Sequence, residues 1–272
     1  VQAPNRPPGY RVTAGFRMIQ DVQAAPGYVP PMNTELRASP PPVDDYEGPL
    51  KARCIALCDA LERHDIDVAS YLERSRELLQ DPQTMTELED LTTRALEQGR
   101  DQVMYRQQKG KHRITLQLLY LSPREVHPPH AHHNLISNQM TVHGRCHVRE
   151  YDRLARVDDS TVLLRLARDG WSGVGDLMQT TETIRNAHWF AADDSPCVVL
   201  NFYILGYQSW TFDPKDAPRR SGRQCLDPTS ASQEDGLIIG REIEIEEGYR
   251  MFGGRPLAAF PAIPPVKTIA AT

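Results

Sequence analysis

Six of the nine histidines, at positions 127, 130, 132, 133, 143 and 147, fall within 21 residues. The informative unit is Pro128-Pro129-His130-Ala131-His132. On a β-strand, residues i and i+2 point to one face, so His130 and His132 aim two imidazoles into one cavity. Their ring nitrogens can then bind a metal at about 2.0–2.1 Å. A third ligand should come from a strand remote in sequence, and His188, in Ile184-Arg185-Asn186-Ala187-His188-Trp189-Phe190, is well placed for that. A His-X-His pair by itself is also common on ordinary surfaces. Its position after a strand and a Pro-Pro step, twelve residues before Gly144, favours the metal reading. Among the other histidines, His133 alternates away from His132 and faces out, and His127 lies at the rim. His143 and His147 decorate a turn and an outer strand face.

A strand-borne site needs a sheet, and the hydrophobic periodicity supplies one. Residues 114–120 alternate and then run apolar, as a half-buried strand does. Further strand-like segments span 139–151, 161–167, 184–191, 196–205 and 237–245, separated by Gly-, Pro- and Asp-rich turns. Many short strands without intervening helices indicate a β-sandwich or barrel. Ahead of them, residues 51–99 have helical periodicity. One helix carries Ala52, Ile55, Ala56, Ala60 and Leu61 on one face, a second runs 67–79 and stops at Asp81-Pro82, and a third runs 86–98 to a Gly99 cap. Cys54 and Cys58 sit one helical turn apart, and with no second pair nearby, core packing is expected over ligation. Ten of the 22 prolines lie in the first 50 residues, which are expected to be an extended arm or leader. The organisation is thus an arm over 1–50, a helical part over 51–100, and a β-barrel with a C-terminal extension over 101–272. In that extension, residues 213–223 read as a solvated basic loop, and residues 242–246 as an edge strand with charges outward.

Composition narrows the function classes. The 272 residues carry 31 Lys+Arg against 36 Asp+Glu, a net charge of −5, and phosphate binding would need clustered positive charge. No nucleic-acid partner is expected. The longest apolar stretch, 197–205, is nine residues and contains Asn201, against about 20 needed to cross a bilayer, so no membrane partner is expected either. No basic-then-apolar segment opens the chain, and no secretory leader is expected. Five cysteines, an odd and sparse count, fit reduced thiols in a cytoplasm.

The segment 127–152 resembles the first motif of the cupin superfamily, small double-stranded β-helix (jelly-roll) barrels. Most metal-binding cupins add a glutamate ligand after the His-X-His pair. The matching position here is Ser137, and no acidic residue lies between His132 and Gly144. In this the chain is similar to the thiol dioxygenases (cysteine dioxygenase, cysteamine dioxygenase and the plant cysteine oxidases), whose iron is held by three histidines alone. The resemblance spans about residues 100–208. Tyr105-Arg106, Lys109-Gly110-Lys111 and the strand 114–121 are similar to the lead-in of cysteine dioxygenase, and imply Arg106 as the grip on a substrate carboxylate. Residues 144–152 resemble the return strand of the cysteamine and plant enzymes. Residues 195–203 resemble the strand after the third histidine and put Tyr203 at the family's catalytic tyrosine. Ser137 replaces the cysteine that crosslinks to tyrosine in animal enzymes, so that crosslink cannot form. Asn201 stands where the family has a histidine or aspartate, and residues 165–182 look like an insertion.

The resemblance implies a mainly β cupin barrel, preceded by short helices and the Pro-rich arm. It implies a mononuclear Fe(II) site on His130, His132 and His188, with a small thiol and O2 as substrates. Three neutral imidazoles leave the ion its full charge, the all-nitrogen relative of the two-His-one-carboxylate triad. That charge ionises a bound thiol, and both oxygens of O2 pass to sulfur. Tyr203 would donate a hydrogen bond toward substrate or oxygen, Asn201 would orient it, and Arg106 would clamp a carboxylate. The alternatives are another three-histidine cupin oxygenase that cleaves a carbon–carbon bond or ring, a zinc site that activates water, and a metal-binding cupin without catalysis.

Overall fold

The computed structural model describes residues 46–109, 112–207, 222–229 and 237–260. Residues 1–45, where the Pro-rich arm is expected, Gly110-Lys111, and residues 208–221, 230–236 and 261–272 lie outside the described residues, as do the side chains of Lys109, His133 and Ala258.

Among the described residues three helices come first, α1 (Pro49–Glu62), α2 (Val68–Gln80) and α3 (Pro82–Gln98). Asp67 caps α2 by accepting from the Ser70 N–H, and Asp81 caps α3 by accepting from Gln83 N–H. Pro82 therefore opens α3 at its first turn, where the missing N–H costs nothing, and the third helix starts four residues earlier than its periodicity indicated. Gly99 closes α3 in the left-handed conformation (φ 60°). The eleven strands of the described residues are β1 (Gln102–Lys109), β2 (His112–Leu121), β3 (Val126–His133), β4 (Leu135–His143), β5 (Cys146–Arg156), β6 (Thr161–Ser172), β7 (Leu177–Thr180), β8 (Ala187–Ala192), β9 (Cys197–Leu205), β10 (Gly222–Asp227) and β11 (Leu237–Ile243). A short helix, α4 (Ile245–Phe252), follows.

All strand pairings between these elements are antiparallel. One sheet runs β1-β2-β9-β4-β7, and the other closes on itself in the order β10-β11-β6-β5-β8-β3. This is the mainly β, jelly-roll type of barrel expected, with helices ahead of it. Period-two alternation divides the five-stranded sheet into two faces. Ile114, Leu116, Leu118, Ile136, Met140, Val198, Leu200, Phe202 and Ile204 pack beneath the helices against Leu50, Cys54, Cys58, Leu61, Tyr71, Leu79, Leu88 and Leu91. Cys54 and Cys58 are core residues there. The alternate residues of β2, β4 and β9 face the barrel interior and are left to build a site.

Several boundaries differ from the sequence reading for identifiable reasons. The segment 139–151 is two strands, broken at Gly144 (φ 69°), where an added Cβ would run into the Pro196 carbonyl oxygen. Residues 165–182 are not an excursion from the barrel. They finish β6, which pairs with β5 and β11, and form β7, which pairs with β4. Strand β11 lies between β10 and β6 rather than at an edge. It ends at Ile243, and Glu242–Glu246 does not continue as a strand because α4 starts at Ile245. That helix is pinned by Gly248 against Cys225 and Pro128 and by Phe252 against Trp189 (ring centroids 5.0 Å). Among the described residues no helix is long and apolar enough to cross a membrane.

Candidate metal centre

Strand β3 carries a bulge. His127 pairs with Phe190 and His130 with His188, so three steps on β3 oppose two on β8. Pro128 and Pro129 occupy the bulge, a place where a missing N–H breaks no ladder bond. The shift brings His127 into the same cavity as His130 and His132 despite the wrong parity. His188 sits directly across from His130. Ligand atoms of His130, His132 and His188 all lie within 4.8 Å of one another, and no Asp or Glu of the described residues joins the group.

Buried Asn186 holds these two strands in place. Its Nδ2 donates to the carbonyls of His132 and Thr181, each at 2.8 Å, and its Oδ1 accepts from the His132 N–H at 3.3 Å. The ring of His130 is fixed through Nδ1, 2.7 Å from the Pro128 carbonyl oxygen, which leaves Nε2 for the cavity. His132 Nε2 and His188 Nε2 are 3.1 Å apart. Two ligands at right angles, each about 2.1 Å from one ion, stand about 3.0 Å apart. The donor set therefore fits a single transition-metal ion with open positions.

Electrostatics favour the neutral imidazoles a metal requires. Burial, then Arg223 and the other two histidines, hold His130 well below the usual range, against a small opposing effect of the Pro128 carbonyl. Burial, then Arg223 and His127, push His188 down to about 3. In metal-free protein, the unfolded chain takes up a proton near pH 6.5 that folded His188 refuses until about 3. That contribution to stability is complete above pH 6.5 and is lost as pH falls through this window. Thermal melts of metal-free protein between pH 4 and 8 should show falling stability on acidification, with a shallower slope in His188→Phe. An equal slope in the variant would show that this ring does not titrate as the burial demands.

The histidines open onto a cavity of about 200 Å³, below the roughly 300–1,000 Å³ that holds a drug-sized ligand. One wall is the inner face of β2, β9 and β4: Arg113, Gln117 and Leu119; Asn201, Tyr203 and Leu205; Leu135, Ser137 and Gln139. Facing it are His127, His130, His132, Phe190 and Arg223. No Asp or Glu lines it among the described residues. Ser137 donates to Asn201 Oδ1 at 3.0 Å. Tyr203 lies between Thr115 and Ser137 in the sheet, and its hydroxyl has no partner among the described residues.

The structure thus gathers His130, His132, Asn201 and Tyr203 around one cavity, with His188 grouped against the two histidines. It does not bring Arg106 there. Arg106 lies on β1 opposite Thr115 and reaches the wall only through Gln117, donating to Oε1 at 3.4 Å. Arg113 and Arg223 line the cavity instead. Arg223, at the end of the supposed solvated basic loop, is on β10 directly opposite His132. Residues 208–221, which include the rest of that loop, lie outside the described residues. Sequence reasoning also missed Asn186, although its two-residue spacing from His188 was a signal available to it. His147 stacks on Trp171 (centroids 5.2 Å) and pairs with Asp169, away from the cavity.

No family model matches the chain, and no curated protein matches it. Among solved structures, an 11S globulin from Wrightia tinctoria is similar over 43% of this chain and 23% of its own, at 14% identity and a TM-score of 0.28. An oxalate oxidase is similar over 33% of this chain and 41% of its own, at 14% identity and a TM-score of 0.26. The coconut allergen cocosin is similar over 44% and 25%, at 15% identity and a TM-score of 0.28. Each match spans less than half of either chain.

Proposed function

We propose that the protein is a mononuclear non-haem Fe(II) dioxygenase that oxidises a small thiol to its sulfinate, RSH + O2 giving RSO2H. The observation that carries this reading is a three-imidazole group with no acidic companion among the described residues, opening onto a small cavity lined by cations, amides and a tyrosine. When bound, a ferrous ion held by three neutral ligands supplies the charge that ionises a coordinated thiol, and the oxygen chemistry itself.

The protein's own residues position the reactants. The carboxylate clamp passes from Arg106 to Arg113, which lines the cavity and has no ion-pair partner among the described residues. Arg223, opposite His132, adds to the positive field. Tyr203 offers an uncommitted hydroxyl to substrate or oxygen. Asn201, its Oδ1 held by Ser137, keeps its amide N–H groups for the cavity. Leu119, Leu135, Phe190 and Leu205 exclude bulk water. Ring-cleaving oxygenation suits an apolar pocket without a clamp, so the polar wall favours the thiol reading.

Metal analysis of purified protein, followed by O2-electrode traces with cysteine, cysteamine and 3-mercaptopropionate, tests the proposal. Stoichiometric iron and thiol-dependent O2 uptake are expected. Bound zinc, or no uptake with any thiol, sinks it. Tyr203→Phe should lower kcat at least tenfold with metal content unchanged, and an unaltered rate would leave Tyr203 a packing residue.

A further inference from the structure

Across the cavity wall, Gln117, Asn201 and Gln139 stand side by side on β2, β9 and β4. Two of the three amide oxygens are committed within the protein, Gln117 Oε1 to Arg106 and Asn201 Oδ1 to Ser137. Gln139 differs. Its side chain lines the cavity, the residue is only 5% exposed, and Oε1 is buried without a hydrogen-bond partner among the described residues. Leaving a buried acceptor unpaired costs about 1–3 kcal/mol, and native proteins rarely do so. Gln139 is not part of the histidine group, and its place in the sheet is set by backbone pairing with Asn201 and Met178.

The rest of the lining is rich in donors: two guanidinium groups and the amides of Gln117 and Asn201. These suit a carboxylate, but neither a carboxylate nor a thiolate has a proton to give Gln139 Oε1. We infer that Gln139 is a specificity-determining residue that accepts a hydrogen bond from the substrate, so the site selects thiols that carry an amino group. This rests on the thiol dioxygenase reading, and selects among the thiols that reading allows. An aminated thiol acid satisfies both Arg113 and Gln139, whereas 3-mercaptopropionate leaves Gln139 unpaired.

The test is anaerobic calorimetry on metal-loaded wild type, Gln139→Leu and Gln139→Glu, titrated with L-cysteine and with 3-mercaptopropionate. Gln139→Leu should weaken cysteine about tenfold or more and 3-mercaptopropionate less than twofold. Gln139→Glu, which keeps an acceptor, should hold cysteine within about threefold of wild type. Gln139→Met replaces the leucine variant if the latter does not fold. Parallel losses for both thiols, no loss for cysteine, or binding of neither thiol by wild type overturns the inference. O2 uptake separates it from its premise. Gln139-dependent cysteine binding without O2 uptake supports the specificity role while removing the oxygenase. Oxidation of both thiols with equal affinities in all three proteins does the reverse.

Discussion

Alanine at His130, His132 or His188 is expected to strip bound metal to less than a tenth of wild-type content and to abolish O2 uptake. The three rings are the whole protein donor group among the described residues, and no neighbouring carboxylate stands ready to replace a lost one. Removing a residue that merely orients a ligand typically costs 10–100-fold in metal affinity, so loss of a ligand should cost more. His147→Ala is the matched control. Its ring stacks on Trp171 and pairs with Asp169, so metal content and turnover should stay at wild-type levels. Elemental analysis and an O2 electrode read both quantities. Retained iron and activity in His188→Ala would reject it as a ligand and leave an ordinary His-X-His pair.

The legibility of this centre in the sequence followed the range of the interactions that build it. The i, i+2 rule is local, and it placed His130 and His132 on one strand face without knowledge of the sheet. His188 needed only the further guess that a strand-like segment returns beside them, and β8 does so with His188 opposite His130. The residues that escaped notice are neighbours only across strands. Arg223 meets His132 through the β10–β3 pairing, and the charged run before it read as solvent-facing. Gln117 and Gln139 flank Asn201 through two different pairings, so no spacing rule joins them. The bulge at Pro128-Pro129 changed the parity that would have sent His127 outward. At the C-terminus, alternation over 242–246 pointed to a strand, but tertiary packing of Gly248 and Phe252 outweighed it. Arg106 is the instructive case on the other side. Its role came from resemblance alone, and the sheet register puts Arg113 where that role can be performed.

Arg113→Ala is accordingly expected to raise KM for L-cysteine by about 10–100-fold, the loss of a charge-assisted pair worth roughly 1.5–3 kcal/mol. Cysteamine has no carboxylate, and its KM should move less than twofold. Arg113→Lys should recover only part of the loss, because an ammonium restores the charge but not the two-pronged geometry. Arg106→Ala removes only a 3.4 Å contact to Gln117, so it should change KM for both thiols by a few-fold and without discrimination. The Nε of Arg113 is buried with no hydrogen-bond partner among the described residues. Steady-state O2 uptake with both thiols on the three variants reads the result directly. A larger and carboxylate-specific effect at Arg106 would return the clamp to that residue. Equal effects of Arg113→Ala on cysteine and cysteamine would show that its charge acts on the metal-bound end of the substrate rather than on a carboxylate.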